Sequence, residues 1–272
     1  MNTAPLTRLF PTPSELRPLH GLYLDDEFPK SQAPFLYGNY VTSLDGRIAF
    51  KGSDEGDGVP EDITNPRDWR LFRELAARSD VMLVSGSYLR RRGAGSAQEI
   101  LALRHEDDPD SLEAWREQRG YPPLPDIAIV SRELDFPVPL ELSSGKRRVF
   151  VITGRDGAGS DAARLREQDV EVVCTGGEGV RGDELVSILE RRGYHRVYNA
   201  AGPGVHRLLL GAGKPDRLYL TFAPRLLAGD EFYTVVSGSR LEPASRFRLR
   251  HLYLDADALD GDGQLFACYE RT

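Results

Sequence analysis

"RVYNAAGPGVHRLLLGAGKPDRLYLTF", Arg196 to Phe222, decides the fold. An apolar run, Arg196–Ala200, leads into a turn with glycines around Pro203. Val205–Leu210 follows as a helix, and a second apolar run, Arg217–Phe222, closes the unit. Strand-sized runs joined through a helix run parallel in one sheet, because a parallel connection needs a crossover of a dozen or more residues. The alternation extends toward the N-terminus. Strands are expected at "DVMLVSG" (Asp80–Gly86), Asp126–Ser131, Arg148–Thr153 and Val170–Cys174, with helices at Asp161–Gln168 and Asp183–Arg192. Further back, "FLYGNYVTSLDGRIAF", Phe35–Phe50, starts as a buried strand and ends on a polar turn. Asn65 then caps a helix that runs to Ser79, with Pro66 at its first position and Trp69, Leu71, Phe72, Leu75 and Ala76 at near-3.6 spacing.

Short, nearly all-apolar strands alternating with helices predict an α/β fold with a largely parallel sheet covered on both faces. The C-terminal segments "RFRLRHLYLD" and "GQLFACYER" instead alternate polar and apolar residues around a polar turn, which predicts an antiparallel hairpin on that sheet. Residues 1–34, with several prolines and no sustained period, read as an arm lying on a single domain of residues 35–272. Its "HGLYL" is expected to add one short strand. Lys51–Thr64 forms a polar, glycine-rich loop long enough to call for a function or disorder. Residues 87–125 carry arginines, a helix at Ser111–Arg119 and a proline-rich exit. No internal repeat or low-complexity tract is visible.

The 272 residues are near the size at which one core stops growing, and with 40% hydrophobic and 28% charged residues the chain reads as a soluble globular protein. A net charge of -7 argues against nucleic acid as a partner, since backbone binders carry a basic face. The apolar runs are strand-sized, so no membrane span or leader is expected. The only two cysteines, Cys174 and Cys268, lie in strand-like runs, and no His or Cys cluster has metal-ligand spacing. No metal is expected, and a reducing cytoplasm fits best.

Ligands of open α/β sheets bind beyond the carboxyl ends of the strands, so the residues there are the candidates for chemistry. They are Ser43-Leu44-Asp45-Gly46 with Thr42 just before it, Ser85-Gly86-Ser87, Thr153-Gly154-Arg155, and the Asn199–Leu209 turn. In the last, glycines at a helix start would turn backbone N–H groups and the positive end of the helix dipole toward an anion. The alternative is a tight turn that uses glycine for its backbone freedom alone. The G-x-G-x-x-G fingerprint is absent.

"NYVTSLDGRIA", the Asn65–Ser79 helix leading into "DVMLVSG", and "AAGPGVHRLLLGAGKPDRLYLTFAPRLLAG" resemble, in the same order, the reductase domain of riboflavin biosynthesis. That domain has the dihydrofolate reductase fold, and the resemblance extends from about Phe35 to the C-terminus. It implies an NADPH-dependent reductase, most often a homodimer, in which the cofactor carries the chemistry and the protein orients the partners and excludes water. The C-terminal antiparallel strands point to the same dimer by leaving an edge and an apolar surface to cover. Asp45 would fix the Gly46–Ala49 loop beside the nicotinamide or hold a polar group of the substrate; its other reading is a cap on its own turn. Gly202, Pro203, Gly204 and Val205 match the pyrophosphate contact. Ser131-Arg132 and Gly154-Arg155 would meet the 2′-phosphate, since a guanidinium fork suits phosphate. Ser85, Gly86 and Thr42 complete the expected cofactor contacts.

The departures concern the substrate. Ala200 stands where the family places a glutamate, and "YLRRRGAGSAQEILALR" replaces its Asp-Pro-x-Leu segment. Asn39, Asp62 and Arg90 are the remaining substrate-binding candidates, with Arg91 and Arg92 beside Arg90. Three functions are compatible with these residues: a pyrimidine reductase of the riboflavin type, a dihydrofolate or pterin reductase, and a nucleotide-binding relative without activity.

Overall fold

The computed structural model describes residues 4–29, 33–51, 58–104, 111–154 and 159–272. In chain order its elements begin with β1 (Leu6–Phe10), β2 (Glu15–Arg17), β3 (Phe35–Ser43), β4 (Ala49–Phe50), α1 (Pro66–Arg78), β5 (Val81–Ser85) and α2 (Gly86–Gly93). Next come α3 (Leu112–Glu117), β6 (Asp126–Val130), α4 (Leu140–Ser143), β7 (Val149–Thr153), α5 (Ser160–Glu167) and β8 (Glu171–Cys174). The chain ends with α6 (Gly182–Arg191), β9 (Arg196–Asn199), α7 (Pro203–Gly211), β10 (Arg217–Ala223), β11 (Phe232–Tyr233), β12 (Phe247–Asp255) and β13 (Gln264–Arg271). The sheet order is β2-β1-β12-β13-β10-β3-β9-β5-β6-β7-β8. It is parallel from β10 to β8 and antiparallel from β10 through β13, β12 and β1 to β2.

The apolar strands owe their run-like sequences to burial on both faces. Met82 and Val84 of β5, Ile127 and Ile129 of β6, and Val149 and Val151 of β7 enter one core beneath α1. Their alternates Val81, Leu83, Ala128, Val130, Phe150 and Ile152 enter a second core with Leu185, Ile188 and Leu189 of α6 and Val205 and Leu209 of α7. Period-two alternation between two apolar layers leaves no position for a polar residue. Helix α1 is started by Asn65, whose side chain accepts from the amides of Arg67 and Asp68, with Pro66 at the first position.

The arm differs from its sequence reading. "HGLYL" is a turn and forms no strand: Leu22 N–H reaches Leu19 O, and Asp25 N–H reaches Gly21 O. Its amides are taken by a side chain, since the buried Glu74 carboxylate on α1 accepts from Gly21, Tyr23 and Leu24. The arm's strands are instead β1 and β2, and β1 pairs with β12, so the edge expected to stay open on the C-terminal hairpin is covered. A second buried carboxylate holds the far end of the arm: Asp26 accepts from Arg217 at 2.9 Å and Tyr219 at 2.5 Å. His251 and Cys268 bring further donor atoms close to Asp26. With Arg217 and Arg250 both on Asp26, the group is an electrostatic clamp that would repel a cation.

From β3 the chain passes over α1 to β5 on one side of β9, whereas from β9 it passes over α7 to β10 on the other. The connections therefore diverge at the carboxyl ends of β3, β9 and β5, where open α/β sheets form their ligand crevice.

Candidate active site

A cavity of about 760 Å³ occupies that crevice. Its floor is Asn39–Val41 of β3, Ser85 and Val130. One wall is the start of α1 with Thr64, Asp68, Trp69 and Phe72, and the opposite wall is Ala200–Val205 with Val180 and Leu208. Ile48, Ala49 and Tyr233 close it from the small β4/β11 sheet, where Arg47 stacks on Phe232 at 4.2 Å. Of the residues expected from sequence, the cavity brings together Asn39, Ser85, Arg90, Ser131, Arg132, Gly202, Pro203, Gly204 and Val205. Thr42, Asp45, Asp62, Gly86 and Gly154 do not line it, and Arg155 lies outside the described residues.

The start of α7 is open to the cavity. Gly202 caps it without a side-chain hydrogen bond, Pro203 has no amide to satisfy, and a Cβ built at Gly202 or Gly204 would meet nothing within 4 Å. The start of the helix thus borders open cavity, with the positive end of its dipole toward it. Beneath the cradle, the Tyr40 hydroxyl lies 3.1 Å from Ala201 O and 3.0 Å from His206 Nδ1. Burial pushes His206 down to about 4, so the imidazole under the cradle is neutral.

The middle strand ends are more committed. Ser85 caps α2 by accepting from the Tyr88 amide, and the Ser131 hydroxyl is turned onto Glu133 O. Gly86 is needed for packing, since a Cβ there would stand 2.1 Å from Ser131 Oγ. Gly154 serves a similar close approach, with its Cβ position 2.4 Å from Gly179 Cα. Arg132 reaches out beside Glu133 with 78% of its side chain exposed. Arg90 is already paired with Asp135 at 3.0 Å.

Asp45 answers for the polar end of β3. Its carboxylate accepts from Ser43 Oγ and from the amides of Leu227 and Ala228, with Arg47 at 3.3 Å. Those bonds, Ser43 foremost, hold it down at about 2. The partner turn needs the support, since Ala228 and Gly229 have φ of 55° and 88°. Asp45 therefore joins the two loops that carry Ile48, Ala49 and Tyr233 to the cavity. Asp62 lies in a separate acidic groove with Glu61, Asp257 and Asp260.

One residue in the wall was not singled out from sequence. Asp68 is 6% exposed, and its Oδ1 accepts from Thr221 Oγ1 at 2.8 Å. As an acidic residue in the first turn of a helix it looks like an ordinary complement to the dipole, and only the register of α1 on β10 shows that it points into the cavity.

The RibD C-terminal domain family matches residues 34–258, and the chain belongs to that family. Its α/β architecture is the dihydrofolate reductase-like one that the resemblance implies. A pyrimidine reductase-like protein from Corynebacterium diphtheriae is 21% identical and superposes with a TM-score of 0.66 over 88% of this chain and 92% of its own. RibD from Acinetobacter baumannii is 18% identical with a TM-score of 0.60, and the match spans 89% of this chain but 59% of that protein. The Saccharomyces cerevisiae riboflavin biosynthesis reductase Rib7 is 15% identical, with a TM-score of 0.55 over 90% and 93% of the two chains. No curated protein matches the chain. Among the described residues, no helix is long and apolar enough to cross a membrane.

Proposed function

We propose that the chain is an NADPH-dependent reductase of the riboflavin-biosynthesis pyrimidine reductase type, acting on a ribosylaminopyrimidine phosphate or a related heterocycle in the cytoplasm. Family membership makes it an oxidoreductase of the aminouracil reductase type. The observation that carries the cofactor is the uncapped, glycine-lined start of α7 opening into a cavity at the sheet's point of divergence. The cradle Gly202–Val205 would hold the pyrophosphate, and the apolar slot between Val180 and Leu208 would take the adenine end. Arg132, and Arg155 beside Gly154, would meet the 2′-phosphate. Asn39 and the α1 wall would face the substrate. When bound, the reduced nicotinamide supplies a hydride, and Trp69, Phe72, Ile48 and Tyr233 keep water from the site. Asp45 is a positioning residue in this scheme, and with Ala200 the α7 side of the cavity has no carboxylate among the described residues.

The test is a fluorescence titration with NADPH and NADH. Wild type should prefer NADPH, and Arg132→Ala should cut that preference by about tenfold or more, the loss of one charge-assisted hydrogen bond of about 1.5–3 kcal/mol. No binding of either cofactor would end the proposal, and an unchanged preference in the variant would remove Arg132 from it.

We also propose a homodimer. On the face of the antiparallel strands away from α1, half-buried Leu220 and Leu252 share one cross-strand row and Phe222, Leu265 and Leu254 the next, beside Phe10 at 40% exposure. Apolar surface of this extent commonly marks an interface. Light scattering at micromolar concentration should give twice the chain mass, and a monomer would contradict the proposal.

A further inference from the structure

The Tyr40 hydroxyl, on the floor of the cavity, gathers groups from three other parts of the chain. It lies 3.1 Å from Ala201 O in the turn before α7, 3.0 Å from His206 Nδ1 on α7 and 3.3 Å from Asn199 Nδ2 at the end of β9. Asn199 completes the network, since its Oδ1 accepts from the Ala201 N–H at 3.3 Å. Side chains thus take both backbone groups of Ala201. Asn199 is fully buried and His206 is 1% exposed, so their polar atoms depend on protein partners. One placement of protons satisfies them all. Ala201 O can only accept and Asn199 Nδ2 can only donate, so the single phenolic proton goes to Ala201 O and His206 donates from Nδ1 to the phenolic oxygen. Burial keeps this imidazole neutral, which leaves it as the Nδ1–H tautomer.

A trans peptide directs its N–H opposite to its C=O, and the Ala201-Gly202 bond is not among the cis peptides. With the carbonyl drawn onto Tyr40, the Gly202 N–H faces away from the floor, and no group among the described residues accepts from it. We infer that Tyr40 and His206 are positioning residues for the cofactor: Tyr40 pins the Ala201 carbonyl so that the Gly202 N–H is presented to the pyrophosphate, and His206 holds the phenol to that task. The inference rests on the reductase reading and deepens it, because Gly202 precedes α7 and its amide is set by the turn, not by the helix. Without the phenol this peptide is free to rotate, and a carbonyl oxygen turned toward the cavity repels a phosphate. The cradle is therefore built in part from β3, on the other side of β9 from β5.

Calorimetric titration with NADPH compares wild type with Tyr40→Phe, His206→Leu and His206→Asn, asparagine keeping an N–H donor where Nδ1 stands. Tyr40→Phe and His206→Leu should each weaken NADPH by about tenfold, as expected when one hydrogen bond to a charged group is lost. His206→Asn should recover most of the affinity that His206→Leu loses. Nitrogen NMR of wild type should show the His206 ring, assigned by its absence from the His206→Asn spectrum, as a neutral imidazole protonated at Nδ1. Equal NADPH affinity in wild type and Tyr40→Phe, no recovery in His206→Asn, or an Nε2–H tautomer at His206 overturns the inference, while cofactor binding by wild type leaves the reductase reading standing. Failure of wild type to bind NADPH would defeat that reading and this inference together.

Discussion

Gly204→Val is expected to fold normally and to lose NADPH binding by about a hundredfold or more. The two halves of that expectation come from one observation: a Cβ at Gly204 meets nothing within 4 Å. Nothing in the fold needs the glycine for packing, and its φ is not among the positive ones. By helix propensity valine is no worse than the glycine it replaces, so the start of α7 is not weakened by the change. Yet the space into which the isopropyl group would project is the cavity in front of the α7 amides. Holding the pyrophosphate away from those amides removes at least two charge-assisted hydrogen bonds, each worth about 1.5–3 kcal/mol, and hence about two decades of affinity. Cofactor fluorescence reads the affinity and thermal melting reads the fold. A well-folded Gly204→Val protein with wild-type NADPH affinity would place the pyrophosphate elsewhere.

The contrast with Gly86 shows how much of the site sequence could convey. Both glycines follow a strand and open a helix, so on paper both look like phosphate contacts. Gly86 is pressed against Ser131, whereas Gly204 faces open space, and only tertiary packing separates them. Local signals were sufficient where burial acts on consecutive residues. The runs at β5, β6 and β7 alternate between two apolar layers, and Asn65-Pro66 marks the start of α1 by its own chemistry. They failed where a distant side chain decides the outcome. "HGLYL" has a strand's composition, yet its amides are claimed by Glu74, some fifty residues away. Asp45 was legible as a polar strand end, but its partners Leu227 and Ala228 lie more than 180 positions downstream. Asp68 was hidden for the same reason, since its meaning depends on Thr221, 153 residues on.

Those distant ties make Glu74 a buried carboxylate on which stability depends. It is fully buried on α1; Oε1 accepts from Gly21 N–H at 2.7 Å and Arg70 Nε at 2.9 Å, and Oε2 from Tyr23 N–H at 2.9 Å and Leu24 N–H at 3.3 Å. Burial raises its carboxyl and the Arg70 charge pulls it back, so the pair is held by compensation. Glu74→Ala strips the carboxylate from a guanidinium that is 2% exposed and from three arm amides together. Breaking a buried pair from one side costs about 3–5 kcal/mol, because the remaining charge stays desolvated. Glu74→Gln should lose less, since its amide oxygen still accepts and the side chain keeps its volume. Denaturant unfolding gives the magnitudes, and a loss under about 1 kcal/mol in Glu74→Ala would contradict the account. The consequence reaches the site through α1, which carries Asp68, Trp69 and Phe72 within the two turns before Glu74. Release of the arm should therefore disturb the α1 wall of the cavity before it touches the cradle at Gly204, which is held by α7 on the opposite face of the sheet.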